Sequence, residues 1–296
     1  MKILISGGVG QLGRDCTKVL AKSHEVISVD LGALDIADWA AVSAFVQDVK
    51  PDVILNCAAF TQVDDCETKR ELAWKANVEG PKNLAAAAES RGLRLIHIST
   101  DYVFDGKKQV PEPYTETDDT HPISYYGLTK LEAEKAVAEG TDRYTILRTA
   151  WLYGPQGPNF LKTMLRLALG DPEREIKVVN DQFGSPTWSY RLAEQIKKVL
   201  DADIRGIFHA TSEGYCTWYE LATVFLGELA RFYPIRANAF IPCTTRDYPT
   251  PAARPVNSIL ENQRLKEAGL NIMGDWRLDL IQFVSLFKDH LMKEVA

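Results

Sequence analysis

Met1-Lys2-Ile3-Leu4-Ile5-Ser6-Gly7-Gly8-Val9-Gly10-Gln11-Leu12-Gly13 opens the chain, and the reading of everything after it turns on this stretch. The apolar run Ile3–Ser6 reads as a strand, since it enters glycines too soon for a signal segment or a membrane span. Gly7, Gly10 and Gly13 then recur every third residue where the pattern turns helical, from about Gly10 to Ala21. Glycine permits the tight turn and lets a pyrophosphate approach backbone N–H groups at the positive end of a helix. The spacing alone is a weak signal. It gains weight from Asp30, which closes the next strand-like run, Val26–Asp30, where a carboxylate can hold a ribose hydroxyl pair. The stretch predicts a dinucleotide site with Gly7, Gly10, Gln11, Leu12 and Asp30 against the ligand. Asp30 repels a 2′-phosphate and favours NADH, whereas Arg14 attracts one and favours NADPH, so NADPH or NADH both remain open. Asp35-Ile36 carries two readings: the flank of an adenine ring, or a polar loop residue beside a core isoleucine.

Outward from the loop, strand-like runs alternate with helix-period segments. A helix passes through Trp39 and Val46; then come Val53–Asn56, a helical stretch about Glu71–Arg91, Leu95–Ser99, a helix about Tyr126–Glu139, and Thr145–Arg148. Strands separated by helices need right-handed crossovers, which places them in one parallel sheet with helices on both faces. The fold class is α/β: a Rossmann-type doubly wound parallel sheet with a smaller C-terminal substrate-binding domain. Residues 1–152 are expected to form the dinucleotide-binding domain and 153–296 mainly the second one. Proline and glycine punctuate the chain after Arg148, so this second portion reads as loop-rich. Segments near 187–210, a helix about Ala193–Leu200 and a strand-like Gly206–Ala210, are expected to return to the first domain.

Composition narrows the function classes. With 46% hydrophobic and 25% charged residues the chain is an ordinary soluble globular protein. Its net charge of −6 argues against nucleic acid or an acidic membrane as partner, because those need clustered Lys and Arg. Five scattered cysteines without C-x-x-C spacing indicate reduced thiols in a cytoplasmic protein, neither a disulfide framework nor a metal site.

Ligands of such sheets bind at the carboxyl ends of the strands, which directs attention to three stretches. Tyr126-Gly127-Leu128-Thr129-Lys130 starts a helix, and a spacing of four puts phenol and ammonium on one face. An adjacent cation stabilises a phenolate and draws its pKa down from about 10 towards neutrality. The short pattern alone is compatible with a plain exposed face. Ser99-Thr100 emerges at the end of its strand, where a hydroxyl can polarise a carbonyl or simply cap a turn. After Asn56-Cys57, Ala58 and Ala59 are small enough to let a cofactor lie against the backbone, or they are simple packing.

Together Gly7–Gly13, Asn56–Ala59, Ser99–Gly106 and Tyr126–Lys130 resemble the extended short-chain dehydrogenase/reductase superfamily. Arg148–Gly154, Asn159-Phe160, Asp181–Thr187 and Tyr248–Ser258 narrow the likeness to the dTDP-4-dehydrorhamnose reductase family, from about Met1 to Leu260. The resemblance implies hydride transfer from NADPH or NADH to the 4-keto group of a dTDP-sugar substrate. It gives Tyr126 the role of proton donor and makes Lys130 the residue that holds the nicotinamide ribose and tunes Tyr126. Thr100 polarises the ketone, with Ser99 as alternative. It further implies that Tyr102, Phe104, Trp151 and Asn159 line the sugar-nucleotide pocket and that Arg254 meets the diphosphate. The aromatics are also readable as plain core and Arg254 as a surface ion pair.

The sequence departs from the pattern at Gly8, which is an extra glycine, at Cys57, and at Phe60, where Tyr or His is common. Some relatives dimerise through a bridging magnesium; Asp15 is a candidate ligand without matching acids near Tyr190, so no metal is expected and a homodimer stays open. Two other functions remain. One is a non-catalytic NAD(P)-binding subunit resembling the regulatory β subunit of methionine adenosyltransferase. The other is a sugar-nucleotide epimerase or dehydratase, although dehydratases commonly carry Asp-Glu after the threonine and this chain has Asp101-Tyr102.

Overall fold

The computed structural model describes residues 1–170, 175–235 and 240–295. β1 (Lys2–Ser6), α1 (Gln11–Leu20), β2 (Glu25–Val29), α2 (Trp39–Val49) and β3 (Val53–Asn56) alternate as the apolar pattern predicts. Two short helices follow, α3 (Val63–Thr68) and α4 (Arg70–Trp74), and a π-turn over Lys75–Glu79 leads into α5 (Gly80–Arg91). The single helix expected over Glu71–Arg91 is therefore interrupted. A single i→i+5 turn is placed by tertiary contacts such as those of Asn77 rather than by a local pattern, so the sequence does not announce it. β4 (Arg94–Thr100) runs into a 3₁₀ turn at Asp101–Val103, followed by α6 (Tyr125–Gly140) and β5 (Tyr144–Thr149).

Beyond β5 lie β6 (Leu152–Tyr153), α7 (Phe160–Leu169), β7 (Ile176–Val179), β8 (Phe183–Gly184) and β9 (Thr187–Trp188). Then come α8 (Ser189–Ala202), β10 (Gly206–His209), β11 (Cys216–Thr217), α9 (Trp218–Ala230) and β12 (Phe240–Cys243). β13 (Asn257–Ser258), α10 (Gln263–Glu267) and α11 (Trp276–Val295) complete the chain. The loop-rich reading of this half misses three substantial helices, α7, α9 and α11. Turn residues between them dominate the local pattern, while the helices are stabilised by a shared core that local pattern does not reveal.

Six parallel strands form the main sheet in the order β10-β5-β4-β3-β1-β2. This is the Rossmann-type doubly wound arrangement. The order reverses between β1 and β3, and register sets Ser6 beside Asn56 at the strand ends facing that crevice. One face is covered by α1 and α8, which bury Leu12, Cys16, Val19, Leu192, Ile196 and Val199 against Ile3, Ile5, Val53 and Leu55. On the other face α2, α5 and α6 bury Val42, Val46, Leu84, Ala88 and Val137 against Leu4, Ile54 and Ile146. A separate core gathers Tyr153, Leu165, Trp188, Phe225, Trp276 and Phe283. No described helix is long and apolar enough to cross a membrane.

One buried ion pair fastens α6 to the sheet. Arg148, at the end of β5, donates from Nε and Nη2 to Glu134 Oε1 and Oε2 at 2.9 and 2.7 Å, and both residues are 3% exposed. Ser99 Oγ donates to the same Oε1 at 2.5 Å. Removing one partner strands the other charge in a low-dielectric interior. Arg148→Met should therefore lose about 3–5 kcal/mol of stability, with the double variant Arg148→Met/Glu134→Leu recovering much of it. Urea unfolding of the three proteins checks this; equal losses in single and double variants would contradict it.

Candidate active site

The glycine loop lies where β1 meets α1. Gly7 has φ +74°, and a Cβ there would sit 2.6 Å from the Ala58 nitrogen, so the loop packs backbone to backbone against the segment after β3. Gly10 N–H donates to the Gly7 carbonyl at 3.1 Å and closes the turn. Gly10 caps α1 without a side-chain hydrogen bond, leaving the helix N-terminus with its N–H groups directed at a crevice suited to an anion. Asp30 accepts from the Val9 and Leu31 amides at 3.3 and 2.7 Å, which sets its carboxylate against the loop. Arg14, exposed, donates from Nε to the Val9 carbonyl at 2.8 Å. Leu12 faces the core, so only its backbone serves the loop. Ile36 is core as well, packed on Gly80, while Asp35 is exposed and turned onto the Ala37 amide at 2.9 Å.

A buried polar chain crosses the strand ends. Ser6 Oγ donates to Asn56 Oδ1 at 2.8 Å, and the Ala58 amide donates to the same oxygen at 3.0 Å. That commits the Asn56 amide nitrogen to His97 Nδ1 at 3.0 Å, and His97 Nε2 then lies 3.4 Å from Lys130 Nζ. Burial holds His97 well below the ordinary imidazole range, and the nearby Lys130 adds to this. Neutral, and accepting through Nδ1, His97 carries its hydrogen on Nε2. Ala59 lines the same segment, half-buried. Asn77, on the π-turn and fully buried, receives the Phe60 amide at 2.7 Å and donates to Thr129 Oγ1 at 3.0 Å. It thereby ties the Cys57–Phe60 segment to α6.

α6 presents Tyr126 and Lys130 beside Thr100. Ser124 caps the helix by accepting from the Gly127 amide at 3.1 Å, and Glu67 accepts the Tyr125 amide at 2.8 Å. At Gly127 a Cβ would meet the Tyr102 carbonyl oxygen at 2.2 Å, so glycine lets the helix start touch the turn after β4. Tyr102 packs edge-on against Tyr126, ring centroids 5.5 Å apart. Lys130 Nζ donates to the Ile98 carbonyl at 2.6 Å. Burial brings its pKa down to about 8, against the pull of Glu134 and Cys57. The Tyr126 phenol moves the opposite way from the sequence expectation. Burial first, then the Asp101 carboxylate, push it well above the ordinary phenol value, and only the Thr100 hydroxyl opposes them. Burial, which disfavours phenolate, sets the direction, and Lys130 is not among the groups that lower it.

Not every expected pocket residue faces the pocket. Strand alternation separates Ser99 from Thr100 and turns Ser99 into the Glu134–Arg148 pair, so its hydroxyl is not the ketone's partner. Phe104, 1% exposed, stacks on Tyr114 at 4.4 Å under the Arg148 guanidinium and is core. Trp151 adopts φ +47°, a conformation a bulky residue holds only under constraint, and stacks on Trp218 at 3.5 Å. Asn159 caps α7 through the Lys162 amide and donates to Gln11 Oε1 at 2.9 Å, so these two expected ligand contacts bind one another. Arg254 is gripped bidentately by Asp64 at 3.0 and 2.9 Å. Asp181 and Gln182 brace the loop by bonds to Thr245. His97, Asn77, Asp64, Asp101 and Trp218 are members of the site that sequence reasoning overlooks. Asp101 adjoins Thr100 and His97 lies on the same strand, whereas Asn77, Asp64 and Trp218 reach the site from distant elements.

The Lys130 shift has a measurable sign. Burial brings its amine down to about 8 in the folded protein, against 10.5 for an ordinary lysine in the unfolded chain. Between these the unfolded chain binds more protons, so stability rises with pH. Wild type should gain stability relative to Lys130→Met from pH 8 to 10.5 in urea unfolding; a difference that stays flat or falls over that window contradicts the assignment.

The chain is similar to proteins of one family over nearly its whole length. The family model described as RmlD substrate binding domain matches residues 1–288. A dTDP-4-dehydrorhamnose reductase of Burkholderia thailandensis is 38% identical over 289 residues, covering 94% of this chain and 96% of the relative. The crystal structure of a dTDP-4-dehydrorhamnose reductase from Clostridium acetobutylicum is 46% identical, with TM-score 0.91 over 97% of this chain and 100% of that one. That of the Bacillus anthracis dTDP-4-dehydrorhamnose reductase, in complex with NADP, is 37% identical with TM-score 0.88 over 95% and 98%. On a family match that spans nearly the whole chain, this protein belongs to the RmlD substrate binding domain family.

Proposed function

We propose that this protein reduces the 4-keto group of dTDP-4-dehydro-L-rhamnose to dTDP-L-rhamnose, with NADPH or NADH as hydride donor. The observation that carries the reading is the meeting of Tyr126, Thr100 and Lys130 at the carboxyl ends of the sheet, across from an uncapped glycine-loop helix. The residues fit a nicotinamide dinucleotide. Gly7, where a Cβ would collide with the Ala58 backbone, lets the loop turn tightly against the segment after β3, the start of α1 suits a pyrophosphate, and Asp30 suits a ribose. When bound, the cofactor supplies the hydride. Arg14 and Asp30 flank the adenosine side with opposite charges, in keeping with use of either form.

The protein's own groups handle the negative charge that develops on the ketone oxygen. Tyr126 delivers a proton to it. The phenol's upward shift suits this direction, because the acid is fully loaded at neutral pH and the nascent alkoxide is the stronger base. Thr100 donates a hydrogen bond to the same oxygen. Lys130, fixed by the Ile98 carbonyl, holds the nicotinamide ribose. Arg254, positioned in advance by Asp64, meets the diphosphate, and Tyr102 and the Trp151–Trp218 stack shape the sugar-nucleotide side. We place the protein in the cytosol, where its five unpaired cysteines remain thiols.

The test is absorbance decay of NADPH and NADH with dTDP-4-dehydrorhamnose. Turnover is expected, with Tyr126→Phe slowed about 10²–10⁴-fold in kcat while cofactor affinity is kept. Cofactor binding without turnover would instead mark a non-catalytic subunit, and near-normal turnover in Tyr126→Phe removes the assigned acid.

A further inference from the structure

Thr100 has a single hydroxyl hydrogen, and the structure already gives it a destination. Thr100 Oγ1 donates to Asp101 Oδ1 at 2.9 Å while accepting from the Tyr102 amide at 3.3 Å. A hydroxyl spent on a carboxylate cannot also donate to a substrate ketone. Asp101 is 2% exposed, and its second oxygen, Oδ2, has no hydrogen bond of good geometry although the Ser258 hydroxyl lies near the carboxyl, an arrangement that disfavours an ionised carboxylate. The carboxylate also sits close enough to Tyr126 to disfavour negative charge on the phenol, and by the same field it disfavours an alkoxide next to that phenol.

We propose that Asp101 acts in the reduction as a neutral acid and positioning residue: its own O–H donates to Thr100 Oγ1, which frees the Thr100 hydrogen for the substrate ketone. This rests on the reductase reading above. With Asp101 protonated, Thr100 Oγ1 accepts from Asp101 and from the Tyr102 amide and donates once, to the ketone oxygen. Tyr126 supplies the second donor to that oxygen. With Asp101 ionised, Thr100 turns back to the carboxylate, and a negative charge stands beside the one the reaction creates. No proton leaves Asp101 during turnover, so proton balance is unchanged: Tyr126 provides the proton that the product hydroxyl keeps.

The surroundings agree. Burial pushes the Asp101 pKa up to about 6, opposed by the hydroxyls of Ser258 and Thr100 and by backbone N–H groups. The titratable groups around it are Tyr102 on its own turn and Tyr126 on α6, both held protonated by burial, with Cys66 behind Tyr126. The Arg254–Asp64 ion pair reaches only as far as Tyr102, and Ser258 of β13 is uncharged.

The experiment is the pH profile of kcat/KM for the 4-keto sugar nucleotide, from pH 5 to 8, for wild type and Asp101→Asn. The asparagine amide donates permanently to Thr100 Oγ1. Wild type should lose activity as pH rises through the Asp101 ionisation. Asp101→Asn should stay within about tenfold of the wild-type maximum and show no such limb, whereas Asp101→Ala should be slower at every pH. A limb that survives in Asp101→Asn overturns the proposal and leaves the reductase reading intact, as does a wild type with no limb. Absence of wild-type turnover at any pH overturns both. Should Asp101→Asn fail to fold by circular dichroism, Thr100→Val takes its place. Its residual turnover should be flat over the same range, because Asp101 works through that hydroxyl, and a remaining limb overturns the proposal.

Discussion

The site depends on how α6 is held against the sheet, and charge does the holding. Glu134 is locked by Arg148 and Ser99, and one turn earlier Lys130 is anchored on the Ile98 carbonyl. Buried ionic contacts contribute little net stability relative to apolar packing, but they tolerate almost no displacement, because a partner that moves leaves a charge without compensation. Four residues along the helix from Lys130, Tyr126 inherits that precision. The start of α6 is fixed separately by Ser124, by Glu67 and by the approach at Gly127 that only glycine permits.

Burial then sets the protonation states. The same desolvation that lowers Lys130 and His97 raises Tyr126 and Asp101, so every titratable group beside the ketone position is biased towards its neutral form. Preplaced donors suit a reaction that creates an alkoxide, because little solvent has to reorganise. The chain from Ser6 through Asn56 to His97 links β1, β3 and β4, and Lys130 on the Ile98 carbonyl of β4 ties in α6, so the glycine loop and the proton donor share one rigid frame.

Legibility in the sequence followed the range of the interaction. The glycine loop, Asp30 and the strand–helix rhythm of the first half were readable because each is a local pattern with a local cause. Tyr126 and Lys130 were readable because four residues is one helical turn. Ser99 and Thr100 were adjacent letters with equal claims, and the period of a strand, visible only in register, separates them. Phe104 and Ile36 were ambiguous for the same reason: an apolar residue near a site is indistinguishable from core until its neighbours are known. Arg254 was found, but its partner Asp64 lies 190 residues away, and nothing local announces it. The direction of the phenol's shift was missed because spacing reveals a nearby ammonium while burial, the larger effect, belongs to the folded whole.

The central claim is that hydride passes to the sugar's C4 within a frame built by α6 and the glycine loop. Turnover with cofactor deuterated at the nicotinamide C4, followed by NMR of the product, tests it most directly. The account predicts one deuterium at C4 of the dTDP-6-deoxyhexose and one equivalent of oxidised cofactor per product. Product without deuterium, or cofactor that cycles without net oxidation, would contradict it.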